Sequence, residues 1–212
     1  MKGYDLYQQI KSFSPNIVER NICELQNCSK CKVLQQSLLI DFDTITKEYC
    51  RGRSTLSSSD GVKYSKNKND VFYFIEIKSI KDAIINPQTN IVNDEDRINS
   101  QPNKFLSKID KKLPNSIEVC CGVSKDNSLF DSKLQPALVF VSDIDTQQSP
   151  LDNFYMNLIK LSDPPAYYEI IFNKEIRKGL KNIKERRKVK VYYTFCEIFD
   201  DELSSDFQNS LI

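Results

Sequence analysis

The chain has 212 residues, of which 40% are hydrophobic and 10% aromatic, enough for a packed core, so global disorder is excluded. Thirty Lys and Arg against 29 Asp and Glu give a net charge of +1, which excludes a uniformly basic coat protein but not a local basic face. There is no His, which removes Ser-His-Asp and Cys-His nucleophile systems, His-ligated zinc and a His general base.

The five Gly make no GxGxxG or GxxxxGK run, which argues against dinucleotide and P-loop nucleotide binding. No apolar run reaches the length of about 18 residues that a membrane span needs. The opening MKGYDLYQQIKSFSP lacks a signal-peptide core, and the seven Cys are an odd number; reduced thiols in the cytoplasm are expected.

Ser14-Pro15 reads as an N-cap followed by Pro at the first helical position, predicting a helix over about residues 15–26 with Ile17, Ile22 or Cys23, and Leu25 inward. SLLIDF (37–42) predicts a buried strand, Asp43 a cap for the short helix TITKEYC, and RGRSTLSSSD a polar loop. GVKY (61–64), the turn SKNKND and VFYFIEIKS (71–79) form a hairpin pattern. Its second strand is almost continuously apolar, as expected of a central strand covered on both faces.

SIKDAIIN predicts a helical turn ended by Pro87, and residues 88–98 a polar loop. Phe105, Leu106, Ile109 and Leu113 predict a helix over 103–113, stopped by Pro114. IEVCCGV (117–123) and ALVFVSDI (137–144) read as strands, with Cys120 and Cys121 facing opposite sides of a sheet. LDNFYMNLIKL (151–161) predicts a helix and Pro164-Pro165 a break. Ile176, Leu180 and Ile183 mark an amphipathic helix over 173–188, VKVYYTFCEIF (189–199) a long strand, and the last residues a loosely held polar tail. Strands alternating with helices predict the α/β class.

The hairpin carries the chemistry. Period-2 geometry puts Glu76 and Lys78 on one face of their strand and Ile75 and Ile77 on the other. Asp60, opening the neighbouring antiparallel strand, comes beside Glu76 if the hairpin pairs in register. Two carboxylates repel and lose hydration inside a sheet, and a divalent cation resolves that conflict. Mg²⁺ takes carboxylate oxygens and water and needs no His. A lysine beside it stabilises developing negative charge, which points to metal-dependent phosphodiester hydrolysis.

With D-x15-E-x-K on a hairpin, the chain resembles the PD-(D/E)XK nuclease superfamily, the restriction-endonuclease-like fold. The resemblance covers about residues 15–145 of a single domain, 1–212, and leaves 146–212 as a C-terminal extension. It implies an α-β-β-β-α-β core, a mixed central sheet flanked by helices. The helix at 15–26, the strands at 37–42, 61–64 and 71–79, the helix at 103–113 and the strand at 117–123 can be laid on that order.

It further implies that Asp60 and Glu76 bind Mg²⁺ or Mn²⁺, that Ile77 contributes a backbone carbonyl and that Lys78 is the catalytic lysine. A further Glu from the first helix is Glu19 or Glu24, with Glu48 as a third choice; Ser59 stands where the family often has Pro. The implied role is cleavage of nucleic acid, DNA before RNA, in antiviral defence or repair, targeted by a protein partner or by self-association.

Other clusters bear on partners. Residues 173–190 hold nine Lys and Arg, Arg177 and Lys181 among them, against Glu175 and Glu185, while Glu197, Asp200, Asp201, Glu202 and Asp206 follow. That helix is either a phosphate-binding face or a solvated one balanced by the acidic tail. Arg51 and Arg53 before Asp60, and Lys104 and Lys108 one turn apart on a helix, are further candidate phosphate contacts.

Two alternatives stand beside the nuclease. One is a catalytically silent, nuclease-like interaction subunit that docks nucleic acid or a partner through the basic helix. The other is a small metal-binding protein built on Cys23, Cys28, Cys31 and Cys50, although only CSKC has tight ligand spacing.

Overall fold

The computed structural model describes residues 3–14, 19–25, 35–65, 70–85, 95–132, 134–144 and 153–212. Among them, six strands form one mixed sheet in chain order: β1 (Glu19–Arg20), β2 (Leu39–Asp41), β3 (Gly61–Ser65), β4 (Val71–Lys78), β5 (Gln135–Ser142) and β6 (Lys190–Phe195). β1 to β4 pair antiparallel, and β4, β5 and β6 run parallel. Helices flank the sheet, so the α/β class holds.

The pleat of β4 sorts its side chains into two cores. Phe72 and Phe74 join a core shared with α1 (Gly3–Phe13), α5 (Glu95–Ser124) and α8 (Pro164–Arg187). Val71, Tyr73, Ile75 and Ile77 face the other, closed by Ile22 and Cys23 of α2 (Ile22–Leu25) and by Phe199 of α9 (Phe199–Ser204) with Phe207 behind it. β4 is therefore central and covered on both sides, as its continuous apolar run requires.

The first helix lies upstream of the expected one. Gly3, Leu6, Tyr7 and Ile10 are buried on α1 at helical spacing, and Ser14 follows this helix. Residues 15–18 and 26 of the predicted helix lie outside the described residues. The rest of it divides into β1 and the short α2, which opens with a capping box: Asn21 Oδ1 accepts from Glu24 N at 2.9 Å, and Asn21 N donates to Glu24 Oε2 at 3.0 Å. The cap of α3 (Phe42–Tyr49) is Asp41, whose Oδ1 accepts from Thr44 N at 3.1 Å, which leaves Asp43 in the first turn. α4 (Ile80–Ile85) follows β4 and takes its N-terminal cap from Asp143, which accepts from Ile80 N at 2.7 Å and Lys81 N at 3.1 Å.

The largest correction is α5. It begins within the expected 88–98 loop, passes through Pro102 and Pro114, and absorbs the predicted strand 117–123. Ile109, Leu113, Ser116 and Cys120 recur at helical spacing and are all buried, so packing overrides the local β propensity of IEVCC. Pro114 has no N–H for the carbonyl of Asp110; Arg187 Nη2 donates to that carbonyl instead, at 3.2 Å. Arg187 Nε also holds the Asp110 carboxylate at 2.9 Å, clamping α8 to α5. The expected strand at 117–123 is thus helical, and the next strand along the described chain is β5.

α6 (Leu129–Ser132) leads to β5, and α7 (Asn153–Ser162) falls where a helix was expected. α8 begins at the expected break: Asp163 accepts from Ala166 N at 3.2 Å, and the prolines fill positions whose N–H groups have no helical partner. The apolar run YYEIIF (167–172) is accordingly part of α8. α8 packs closely on α5, since a Cβ at Gly179 would lie 2.1 Å from Leu106 Cδ1. The C-terminal residues are not loose: after β6 a 3-10 turn (Cys196–Ile198) and α9 bring fully buried Phe207 against Tyr73, Tyr192 and Phe199. No helix among the described residues is long and apolar enough to cross a membrane.

Candidate functional site

Gly61 pairs with Ile75, so Asp60, one residue before β3, comes beside Glu76 of β4, and both reach the side of the sheet that carries Phe72, Phe74 and α5. Asp60 is held by main chain: its N–H donates to Ile75 O at 3.0 Å, its carbonyl accepts from Phe42 N at 3.1 Å, and its Oδ2 accepts from Ile77 N at 2.8 Å. Lys78 Nζ lies 2.7 Å from Glu76 Oε1 and 3.3 Å from Asp60 Oδ2, and donates to Ile77 O at 2.9 Å. The three residues singled out in the hairpin therefore meet at the C-terminal end of β4. In parallel sheets ligands gather at this end.

A fourth residue completes the cluster. Lys112, from α5, places Nζ 3.0 Å from Asp60 Oδ1 and 2.9 Å from both Glu76 Oε1 and Oε2. Two carboxylates and two ammonium groups thus neutralise one another. Lys112 was not among the expected site residues, although it continues the Lys104–Lys108 spacing by one further turn. What concealed it was the 36-residue separation from Glu76, which only the packing of α5 closes. The same helix grips the loop bearing Asp60. The Ser116 hydroxyl accepts from Ser59 N at 2.9 Å and donates to Lys112 O at 2.8 Å, and Asn115 Nδ2 donates to Ser57 O at 3.0 Å. Ser58 Oγ donates to Asp43 Oδ1 at 3.1 Å, which brings a further carboxylate to the rim.

Burial sets the electrostatics. The Glu76 side chain is 1% exposed, against 13% for Asp60, 15% for Lys112 and 23% for Lys78. Desolvation pushes the Glu76 carboxyl upward and the charge of Asp60 adds to that, while Lys78 and Lys112 oppose both. Asp43 is also raised, first by partial desolvation and, less, by Asp60, against the Ser58 hydrogen bond. Desolvation pulls Lys112 down, but Glu76 and Asp60 outweigh it and hold its ammonium above the ordinary lysine range.

The other expected residues lie elsewhere. Glu19 is on the sheet-edge strand β1, paired with Lys11 at 2.8 Å, and Glu24 serves the capping box; neither joins the cluster. Glu48 pairs with Arg51 at 3.3 Å. Arg51, Arg53, Lys104, Lys108 and Lys181 are exposed, and Arg177 lies over the Tyr193 ring at 5.3 Å. On α8, Arg186 and Arg187 are committed to Asp110, and Lys184 to the carbonyl of Ile212. The exposed basic rows are Lys104, Lys108 and Lys111 on α5 and Lys174, Lys178 and Lys181 on α8, each at i, i+4, i+7. A cavity of about 830 Å³, lined in part by Gln135, Lys184, Lys188 and Lys190, lies at the opposite end of β5 from the cluster.

Among the described residues no group of three or more His, Cys, Asp or Glu could hold a metal ion. Cys28 and Cys31 lie outside the described residues, so the four-cysteine site does too; Cys23 and Cys50 are free and buried. At the hairpin, three oxygens of two carboxylates converge within 3.0 Å of the Lys112 nitrogen, and the Ile77 carbonyl accepts from Lys78, which itself contacts both carboxylates. The donor set is all oxygen, which suits Mg²⁺ or Mn²⁺ completed by water, provided Lys112 gives up its place. Comparison with protein-family models, with curated proteins and with solved structures yields no match for this chain.

Proposed function

We propose that this chain is a metal-dependent phosphodiesterase acting on nucleic acid, DNA before RNA, built on a restriction-endonuclease-like core. The observation that carries this reading is the convergence of Asp60 and Glu76 on one cation position, with Lys78 beside it. The order of the strands and the long helix, β2, β3, β4, α5 and β5, supports it as the β-β-β-α-β part of such a core, with the shorter α3, α4 and α6 inserted between them.

Asp60 and Glu76 hold Mg²⁺ or Mn²⁺, and the ion, when bound, supplies Lewis acidity toward a phosphate oxygen. Lys78, anchored on its own strand through Ile77 O, stabilises the negative charge that grows on the phosphate. Lys104 and Lys108 contact flanking phosphates, each contact adding salt dependence. The free thiols suit the cytoplasm, and roles in antiviral defence or repair, with a protein partner or as a dimer, follow from the resemblance alone.

A second reading has its own support. The cluster is already neutral, as in a nuclease-like subunit whose site has become a structural ion-pair network and which binds nucleic acid or a partner through α8. Incubation of plasmid, single-stranded DNA and RNA with Mg²⁺ or Mn²⁺, with a chelator control, separates the two. The nuclease cleaves at least one substrate, and Asp60→Asn and Lys78→Met each lower the rate by about a hundredfold or more. Metal-dependent cleavage absent on every substrate, or unchanged in both variants, refutes it and leaves the silent subunit.

A further inference from the structure

The two lysines of the cluster are held differently. Lys78 bonds to the carbonyl of its own strand at 2.9 Å and reaches one oxygen of each carboxylate. Lys112 comes from another element, and the three contacts of its ammonium within 3.0 Å are all carboxylate oxygens, two of them from Glu76. Those are the oxygens a divalent cation would use. Mg²⁺ binds oxygen at about 2.0–2.1 Å, so it and an ammonium group cannot share that point. The Lys112 stem is a flexible four-carbon chain and its side chain is 15% exposed, so the head can reach water without movement of α5.

We propose that Lys112 is a resident counter-cation that a divalent ion displaces, and that it thereby determines the cation affinity of the site. The proposal rests on the nuclease reading and adds to it a residue that governs metal entry. With metal absent, Lys112 keeps Glu76 and Asp60 from repelling one another. With metal bound, its ammonium swings to solvent while Lys78 stays on Ile77 O.

The test uses the full chain freed of metal, with Mn²⁺ as the probe. Mn²⁺ binding is measured by the electron paramagnetic resonance of the free ion for the native sequence, Lys112→Met and Asp60→Asn. Lys112→Met is expected to bind Mn²⁺ about tenfold tighter or more, and Asp60→Asn to lose binding. Detectable binding in the variant where the native chain shows none is the same increase. In the native chain, saturating Mn²⁺ is expected to raise reductive methylation of Lys112, read by peptide mass spectrometry, several-fold over the metal-free sample.

Equal or weaker affinity in Lys112→Met, with the native chain binding Mn²⁺, overturns the displacement and leaves the metal site standing. Failure of both chains to bind millimolar Mn²⁺ overturns the displacement and the nuclease reading together. Should Lys112→Met not fold, the labelling of the native chain decides: unchanged reactivity at saturation overturns the proposal.

Discussion

In the absence of metal, Lys112 and Glu76 should be strongly coupled in stability. Glu76 is 1% exposed and cannot recruit water when a partner leaves. Breaking a buried ion pair from one side costs about 3–5 kcal/mol. Here Lys78 remains 2.7 Å from Glu76 Oε1, and Met retains much of the lysine stem's volume, so the cost of Lys112→Met falls toward about 2–3 kcal/mol. In a chain of this length that lowers Tm by roughly 5–10 °C.

Glu76→Gln leaves two ammonium groups on Asp60 and costs about 2 kcal/mol. The double variant strands neither charge against the other, so it loses less than the sum, by about 1.5–2 kcal/mol. Urea unfolding followed by circular dichroism at pH 7 with chelator present measures all four proteins of the cycle. Additivity within about 0.5 kcal/mol would show that the four charges do not form a coupled buried network.

The C-terminal residues belong to the core, so Phe207→Ala should cost about 3–5 kcal/mol in urea unfolding, whereas a loose tail would cost almost nothing. Arg187→Ala should cost about 1 kcal/mol in the native sequence and less in a Pro114→Ala background, where residue 114 regains an N–H for the Asp110 carbonyl; equal costs in both would remove that account of the proline. Burial, together with the hydrogen bond and charge of Asp70, pushes the Tyr64 phenol from 10.0 up to about 12. The raised value means the folded chain holds this proton more tightly. Its stabilising contribution is therefore complete below pH 10 and lost as pH rises to 12, and Tyr64→Phe should flatten the fall in unfolding midpoint across that window.

Much of the hairpin was legible because its rules are local. Alternation along VFYFIEIK assigns Glu76 and Lys78 to one side of β4 and the isoleucines to the other, and antiparallel pairing brings in Asp60. The exclusion of His-based chemistry was likewise complete from the residue list. Local rules failed where packing competes with propensity. IEVCC has strand-like residues, and Pro114 resembles a stop, yet Leu113, Ser116 and Cys120 bury one side of a continuous helix and Arg187 answers the orphaned carbonyl.

By itself, then, the order of residues determined the strands of the hairpin and which three charged side chains share its polar end, since pleat and register follow from neighbours along the chain. Tertiary structure alone decided that Lys112 stands between the two carboxylates. That outcome depends on the docking of a 30-residue helix against the sheet, a contact between segments with no periodic relation in sequence. Glu24 serves a capping box local to residues 21–24, but the tertiary structure made Glu19 a partner for Lys11, because a carboxylate takes the nearest donor that the fold presents.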